Sequence, residues 1–190
     1  SLVGSEMCIR DSIGTHNVVY TDIENTDNYD HIYQSDLCGW VGQLGYNKDS
    51  IYGANVFTAE GNETLKAASF YATGKDSQYE LYVVRQFEDE TSLEKMIPVA
   101  SGKLGNAGYY TVDFNQGIEV DAGERYAVVL YIITPGSVHP MAIEYAADEA
   151  TENVDLDDGE SYISANGSKW VSVDTVEKSN LCIKAFSDNR

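Results

Sequence analysis

The sequence predicts an all-β fold, an antiparallel β-sandwich, and three observations support that prediction. From residue 36 onward, short segments rich in Val, Ile, Tyr and Phe alternate with Gly, Asn and Asp turns. No helical pattern of ten residues separates these segments, and residues 126–134 are apolar on both faces, as in a central sandwich strand. The strongest strand candidates are residues 54–59, 65–73, 79–86, 109–114, 126–134, 141–145 and 181–186.

The segment YELYVVR shows the strand pattern in detail. Alternation places Tyr79, Leu81 and Val83 on one face, and the opposite face, with Tyr82 and Val84, is also partly apolar.

The remaining segments of this region are predicted to be turns and loops. Residues 89–96 (DETSLEKM) have a helix-like composition, but their length favours a loop or a single turn. Two Gly-rich turns, residues 102–108 and 117–123, bracket one predicted strand.

Length and charge limit the classes of function. The chain has 190 residues with 43% hydrophobic and 23% charged residues, which suits one globular domain with a sizeable core. Its formal net charge of -19 argues against binding to nucleic acid or to anionic lipid, because both need clustered Lys and Arg. No apolar run approaches the roughly 20 residues that a membrane helix needs, so no membrane insertion is expected.

The first residues differ in character from the rest. Residues 1–12 (SLVGSEMCIRDS) resemble the translation of a transposon-based library adapter, and we expect them to be an artefact. The alternative is an ordinary N-terminal strand. Residues 13–26 are polar and rich in turn formers toward their end, which indicates a linker before a domain spanning residues 27–190.

Catalytic and zinc-binding motifs are not found. His16, His31 and His139 lack zinc-ligand spacing, and the sequence contains no CxxC, GxSxG or P-loop motif. Cys38 and Cys182 allow more than one interpretation: a turn residue and a buried strand residue, or a disulfide that ties the ends of the sandwich together. A nucleophile pair of Cys38 with His139 has no accompanying oxyanion signature.

Aromatic residues in loops are the first candidate for a binding function. Trp40, Tyr46, Tyr52 and Trp170 lie in segments rich in turn formers, and Asn166 is a hydrogen-bonding neighbour. Exposed aromatic rings suit the apolar faces of sugars, so these five residues are predicted to contact glycan. The alternative for each aromatic residue is a place in the core.

An acidic run is the second candidate. Asp155, Asp157 and Asp158 lie within residues 149–160 (EATENVDLDDGE), and their carboxylates are predicted calcium ligands. The spacing does not match an EF-hand loop. The alternative is a solvated loop.

Seven ordered segments together resemble one family, and no single one of them is decisive. The sequence resembles the lectin-like domain that follows the catalytic domain in papain-type cysteine proteases of clostridia and their relatives. The seven segments are DNYDHIYQSDLCGW, ANVFTA, ETLKAASFY, GYYTVD, GERYAVV, GESYISANGSKW and NLCIKAF, within residues 27–186.

The resemblance implies a jelly-roll-like sandwich of the carbohydrate-binding-module type, a secreted or cell-surface location and a structural calcium ion. It also implies an upstream papain-like protease domain in the same chain, of which residues 13–26 would be the tail. The protease's catalytic motifs are not found, so this chain itself is expected to be inactive as a peptidase.

The resulting functional hypothesis is a non-catalytic accessory module that binds cell-wall or surface glycan, or positions substrate for the protease. Two alternatives remain open at this point. One is a stand-alone glycoside-acting enzyme, for which no carboxylate pair stands out. The other is a purely structural domain that docks to protein.

Overall fold

The computed structural model describes residues 28–147, 151, 154–156, 160–173 and 177–190. Its architecture is all-β, as predicted, and the elements within these described residues include thirteen strands and a short 3-10 helix. Residues 1–12 and 13–26, for which we predicted an adapter and a protease tail, lie outside the described residues. In the described part of the chain, no helix has the length and apolar character needed to cross a membrane.

The strands alternate along the chain with short turns. Their bounds are β1 His31–Tyr33, β2 Gly42–Leu44, β3 Ser50–Thr58, β4 Glu63–Ala72, β5 Ser77–Val84, β6 Ile97–Leu104, β7 Gly108–Val120, β8 Arg125–Ile133, β9 Met141–Glu144, β10 Glu160–Ser164, β11 Val171–Ser172, β12 Asn180–Leu181 and β13 Ile183–Asn189. The 3-10 helix spans Glu90–Glu94, between β5 and β6.

These strands form two large sheets and a small one. The four-stranded sheet has the order β1-β13-β4-β7, and the six-stranded sheet has the order β11-β10-β3-β8-β5-β6. The small sheet has the order β12-β9-β2, and strand pairing is antiparallel throughout the three sheets. The first strand, β1, pairs directly with the last strand, β13, through His31 and Ser187.

The main core lies between the two large sheets. On β8, Val128, Leu130 and Ile132 point into it, while Ala127 and Val129 belong to a second apolar cluster on the opposite face of the same sheet. Because β8 lies between β3 and β5, the prediction that residues 126–134 form a central strand is confirmed. The two-sided burial of this strand explains its continuous apolar sequence.

The second cluster is covered by the segment around the 3-10 helix. Phe87 and Leu93 are buried against the outer face of the six-stranded sheet. Asp89 begins the helix, and its carboxylate accepts a hydrogen bond from the Thr91 amide at 2.9 Å. The interpretation of residues 89–96 as a loop or a single turn is therefore confirmed.

The turn predicted over residues 117–123 is confirmed only in its second part, at residues 121–124, because β7 extends from Gly108 to Val120. The pairing of β7 with β4 is irregular at this level, because the β7 residues between Asp113 and Ile118 outnumber the single β4 residue between Leu65 and Ala67. A Cβ atom at Gly117 would lie 2.6 Å from Cγ2 of Thr64 on that strand. The glycine therefore permits close packing beside a bulge, instead of ending the strand.

The two described cysteines are free thiols, so the disulfide alternative is not found. Cys182 is buried between β12 and β13, and its amide donates to the carbonyl of Ala142 at 3.1 Å. Burial raises the pKa of the Cys182 thiol. Cys38 is exposed in the segment between β1 and β2.

Candidate functional site

Three of the five predicted glycan-contacting residues lie together on the outer face of the six-stranded sheet. Tyr52 lies on β3 and Trp170 directly precedes β11, and their ring centroids are 6.2 Å apart in an edge-to-face arrangement. Asn166 lies in the turn between β10 and β11. Its Oδ1 accepts hydrogen bonds from the amides of Ser168 at 3.2 Å and Lys169 at 3.3 Å, so this side chain supports the turn.

Gly167 sets how closely this turn approaches Tyr52. Its φ of +75° lies in the left-handed region that favours glycine. A Cβ atom at this position would lie 3.1 Å from Cζ of Tyr52. A larger residue would therefore both strain the backbone and displace the turn from the ring.

The structure places the other two predicted residues elsewhere. Tyr46 is half-buried and packs against the main core. Trp40 lies 5.7 Å from Tyr71, and Tyr71 lies 5.0 Å from Tyr109, between ring centroids in each case. These three rings lie on the outer face of the four-stranded sheet. Phe70, the residue before Tyr71 on β4, points into the core, so Tyr71 points to the opposite face.

Sequence reasoning missed the residues beside Tyr52 on the same face. In the register of the sheet, Tyr52 of β3 pairs with Tyr131 of β8, Tyr131 pairs with Glu80 of β5, and Glu80 pairs with Ser101 of β6. The rings of Tyr52 and Tyr131 are stacked, with centroids 4.2 Å apart and an interplanar angle of 21°. This row crosses the strands at right angles.

A groove of about 380 Å³ lies along this row, within the range of small-molecule sites. We call it the tyrosine groove and define it by six lining side chains. These are Gln78, Glu80, Ser101, Lys103, Tyr131 and Ile133. It therefore combines an aromatic ring and an aliphatic side chain with hydrogen-bonding groups of both kinds.

The polar groups of the groove have defined partners. Tyr82, next but one to Glu80 on the same face of β5, donates its hydroxyl to the Glu80 carboxylate. Burial, together with that carboxylate, raises the pKa of Tyr82, so its hydroxyl stays protonated and acts as a donor at neutral pH. Lys103 lies 3.7 Å from Asp76 in an exposed ion pair.

The groove places one carboxylate beside an aromatic ring. Glycoside hydrolysis uses two carboxyl groups that flank the scissile bond, about 5 to 10 Å apart. Among the described residues that line the groove, Glu80 is the one that carries a carboxylate. A ring can stack on Tyr131 while its hydroxyls bond to the surrounding polar groups.

A second group of polar residues lies where the small sheet meets the four-stranded sheet, and all of its members except Asp155 are buried. We call it the oxygen cluster: Ser35, Asp36, Glu144, Asp155 and Asn180. Nδ2 of Asn180 lies 2.9 Å from the Ser35 carbonyl, 3.0 Å from Oε2 of Glu144 and 2.9 Å from the Asp155 carbonyl. An amide nitrogen carries two hydrogens, so three oxygens around it exceed its donor capacity.

Asp36 adds a second buried carboxylate to the oxygen cluster. Neither of its oxygens has a hydrogen-bond donor among the described residues, although Nζ of Lys184 lies 3.5 Å from Oδ2. Burial raises the pKa of Asp36 to about 6, and the charge of Lys184 offsets part of that effect. Nearby, the Cys38 amide donates to the other oxygen of Glu144.

The predicted calcium ligand Asp155 belongs to the oxygen cluster through its backbone carbonyl, which accepts a hydrogen bond from Asn180. Asp157 and Asp158, the other two predicted ligands, lie outside the described residues. In the described ranges, no three or more His, Cys, Asp and Glu side chains gather as a metal site would require. The oxygen cluster instead combines side-chain and backbone oxygens.

A signal for the oxygen cluster was present in the sequence. Glu144 lies in the apolar segment MAIEY, and Asn180 directly precedes the apolar segment LCIKAF. Polar residues inside apolar strand segments are buried and need partners. The contact of Glu144 with Cys38 could not be foreseen, since these two residues are 106 positions apart in the chain.

An apolar surface covers the outer face of the four-stranded sheet. We call it the aromatic strip: Tyr29, Ile32, Trp40, Tyr71, Tyr109 and Phe186. The rings of Tyr29 and Phe186 are 5.0 Å apart, and the Tyr29 hydroxyl donates to Asp113 on β7 at 3.0 Å. Ile32 and Tyr109 are 55% and 45% exposed, so the strip is open to contact. Tyr29, its first residue, lies at the start of the described residues.

Two solved structures share this fold. The clostridial cysteine protease Cwp84 after propeptide cleavage matches with a TM-score of 0.70 and 24% identity, over 84% of this chain and 40% of that one. A structure of the cysteine protease and lectin-like domains of Cwp84, a surface-layer-associated protein of Clostridium difficile, matches with a TM-score of 0.65 and 20% identity. That match covers 84% of this chain and 36% of the other, so this chain spans less than half the length of the Cwp84 chains that it matches.

No curated protein matches this sequence. The family model described as a lectin-like domain matches residues 32–187, which include all the strands from β2 to β12 and most of β1 and β13. The resemblance carried by the seven sequence segments is thereby confirmed, together with the sandwich fold that it implied. The chain belongs to the lectin-like domain family.

Proposed function

We propose that this chain is a non-catalytic accessory module of a cell-surface cysteine protease, and that it binds glycan through the outer face of its six-stranded sheet. The observation that carries the proposal is the row of Tyr52, Tyr131 and Glu80 beside Trp170. This row presents aromatic rings and hydrogen-bonding groups together on an open surface.

The chemistry of a pyranose fits such a surface. The C–H faces of the ring are apolar and stack on aromatic side chains, while its hydroxyls need donors and acceptors. Tyr131 is held in place by the stacked ring of Tyr52, so stacking a sugar on it requires little further ordering. Membership of the lectin-like family is compatible with this role.

The test is a glycan array followed by calorimetry on the sugars that bind. Tyr131→Ala is expected to weaken binding at least tenfold, which corresponds to about 1.4 kcal/mol. Trp40→Ala on the opposite sheet is the matched control and should leave affinity unchanged. The proposal is wrong if no glycan binds, or if Trp40→Ala removes binding that Tyr131→Ala leaves intact.

We also propose that a calcium ion is held by the oxygen cluster. Calcium takes six to eight oxygen ligands from carboxylates, carbonyls and side-chain amides. Turning the Asn180 amide by 180° would bring its Oδ1 close to the oxygens of Ser35, Glu144 and Asp155, an arrangement that a cation stabilises. The nearby Asp36 carboxylate supplies a second negative charge, and the ion would fasten β9 and β12 to the segment before β2.

Thermal unfolding with calcium or with a chelator tests this second proposal. A ligand at 100 times its Kd stabilises a fold by about 2.7 kcal/mol, which raises Tm by several degrees in a domain of this size. Glu144→Gln should remove the calcium-dependent rise, whereas Glu94→Gln, in the exposed part of the 3-10 helix, should keep it. An equal Tm with calcium, magnesium and chelator would contradict the proposal.

The third part of the proposal concerns the protease partner and the cell-surface location. We propose that a papain-like domain precedes residue 28 in the same polypeptide and packs against the aromatic strip. Support comes from the exposed aromatic residues of the strip, and from the two solved structures of Cwp84, one of which is described as containing cysteine protease and lectin-like domains.

Sequencing the source DNA upstream of codon 13 tests the partner directly. A reading frame with the catalytic Cys and His of a papain-type protease is expected there. Hydrogen exchange of the resulting two-domain protein should then show protection of β4 and β7 that Trp40→Ala and Tyr109→Ala reduce. A reading frame without a protease would refute this part and leave the glycan proposal standing.

A further inference from the structure

Glu80 occupies the centre of the tyrosine groove and is held there by its neighbours. It lies between Tyr131 of β8 and Ser101 of β6 in the register of the sheet. The Tyr82 hydroxyl donates to its carboxylate, and the Tyr82 ring packs against the second apolar cluster. A carboxylate anchored in this way is a preorganised acceptor for hydrogen bonds.

No arginine is among the described residues that line the groove, so none balances the negative charge of Glu80. The groove's one cationic lining residue, among those the structure describes, is Lys103. That ammonium group is already 3.7 Å from the carboxylate of Asp76. The chain as a whole carries 31 acidic and 12 basic residues, so the surrounding field also disfavours anions.

We propose that the tyrosine groove selects glycans without acidic groups, whose hydroxyl or amine donors bond to Glu80 while a sugar ring stacks on Tyr131. The inference rests on the proposed glycan-binding function and adds the class of glycan. Hydroxyl donors to a carboxylate form charge-assisted hydrogen bonds, which are stronger than neutral ones. A uronate or phosphate in the groove would instead face Glu80 with like charge.

Tyr82 acts in this scheme as a positioning residue. It does not line the groove, but its hydroxyl orients the carboxylate that does. Removing the hydroxyl leaves the ring in the second apolar cluster, so the fold should be unaffected. The affinity for neutral glycans should fall by a smaller factor than on loss of the Glu80 charge.

The experiment compares three sets of hexasaccharides on one array, each confirmed by calorimetry. The neutral set contains cello-, chito-, manno- and xylo-hexaose, the amine-bearing set is hexameric glucosamine, and the acidic set is oligogalacturonate and oligosialate. We expect binding within the first two sets and at least tenfold weaker binding of every acidic glycan. Raising the salt concentration should narrow that gap, because the repulsion is screened.

Three variants complete the test. Glu80→Gln should weaken neutral-glycan binding at least fivefold and strengthen acidic-glycan binding, which a merely structural role would not do. Tyr82→Phe should weaken neutral-glycan binding about threefold at unchanged Tm, and Glu94→Gln is the control for loss of one acidic charge. Acidic glycans that bind as tightly as neutral ones, or a selectivity unmoved by Glu80→Gln, would overturn the inference and leave glycan binding itself intact. Binding to none of the sets would overturn both.

Discussion

Asn55 is a polar side chain inside the main core, and three hydrogen bonds account for its place there. Its Nδ2 donates to the carbonyls of Leu181 and Ile183, at 3.0 and 2.8 Å, and its Oδ1 accepts from the Ser161 hydroxyl at 2.7 Å. The two carbonyls flank Cys182, where the chain passes from the small sheet to the four-stranded sheet. One amide therefore satisfies backbone groups at this junction.

Glu63 at the start of β4 is the second buried polar residue with an explicit role. Its carboxylate accepts hydrogen bonds from the Tyr33 hydroxyl, the Ser187 hydroxyl and the Gly61 amide. Burial alone would raise the pKa of Glu63, but these donors outweigh it and hold the pKa below its ordinary value of 4.5. The carboxylate joins β1, β4 and β13 at one end of the sheet.

Glu63→Gln is expected to lower the free energy of unfolding at pH 7 by about 1.5 to 3 kcal/mol, the range for hydrogen bonds to a charged group. A folded-state pKa below the unfolded value contributes stability above pH 4.5, which is lost as the pH falls through the folded pKa. Urea denaturation between pH 3 and 7 should show the two proteins converging in acid. A difference in stability that does not change with pH would contradict the assigned charge.

Strands that are apolar on both faces could be predicted from the sequence, and the edge strand β6 could not. Residues 126–134 and 79–86 are apolar on both faces and form β8 and most of β5, whereas β6 contains Pro98 and Gly102 and reads as a turn region. Proline is tolerated in β6 because this strand lies at the edge of the six-stranded sheet. A predictor that uses apolar alternation alone misses such strands.

The candidate site could likewise be predicted from the sequence only in part. Tyr52 and Trp170 could be chosen from the sequence because they lie beside turn formers. Tyr131 lies in the strongest core segment, and only its register with Tyr52 and Glu80 shows that it faces the groove. Cross-strand neighbours are far apart in the chain, so no local pattern identifies them.

The 3-10 helix and its flanking residues form the cover of the second apolar cluster. Leu93 is fully buried in that cluster with Phe87. Leu93→Ala should lower the free energy of unfolding by about 2 to 5 kcal/mol, as for other buried leucines. Chemical denaturation measures the change, and Glu94→Ala on the exposed side should alter it by less than about 0.5 kcal/mol. A small effect at Leu93 would show that the cover does not contribute to stability.

At the scale of the whole molecule, the net charge of -19 is the dominant electrostatic feature. Repulsion between such surfaces keeps copies of the protein apart in solution. Repulsion among the charges of one molecule opposes its folded, compact state. The exposed ion pairs that the structure shows, such as Lys103 with Asp76, contribute little to offset it.

Screening this repulsion should raise the melting temperature. Between 10 and 500 mM NaCl, the screening length falls from about 30 Å to only a few ångströms, so we expect a rise of several degrees in the presence of a chelator. Choline chloride should act equally, because the effect needs no specific cation. A melting temperature that falls with salt would show that attractive ion pairs outweigh the repulsion.

The direct pairing of β1 with β13 has a mechanical consequence for a tethered domain. These strands are antiparallel neighbours, and the Asn189 amide donates to the carboxylate of Asp30 at 2.8 Å just before β1. A stretching force applied between residues 28 and 190 would therefore separate the paired residues of β1 and β13 one pair after another. The tyrosine groove lies on the other large sheet, outside the path of that load. If the groove binds glycan as proposed, we expect that binding to persist while β1 separates from β13.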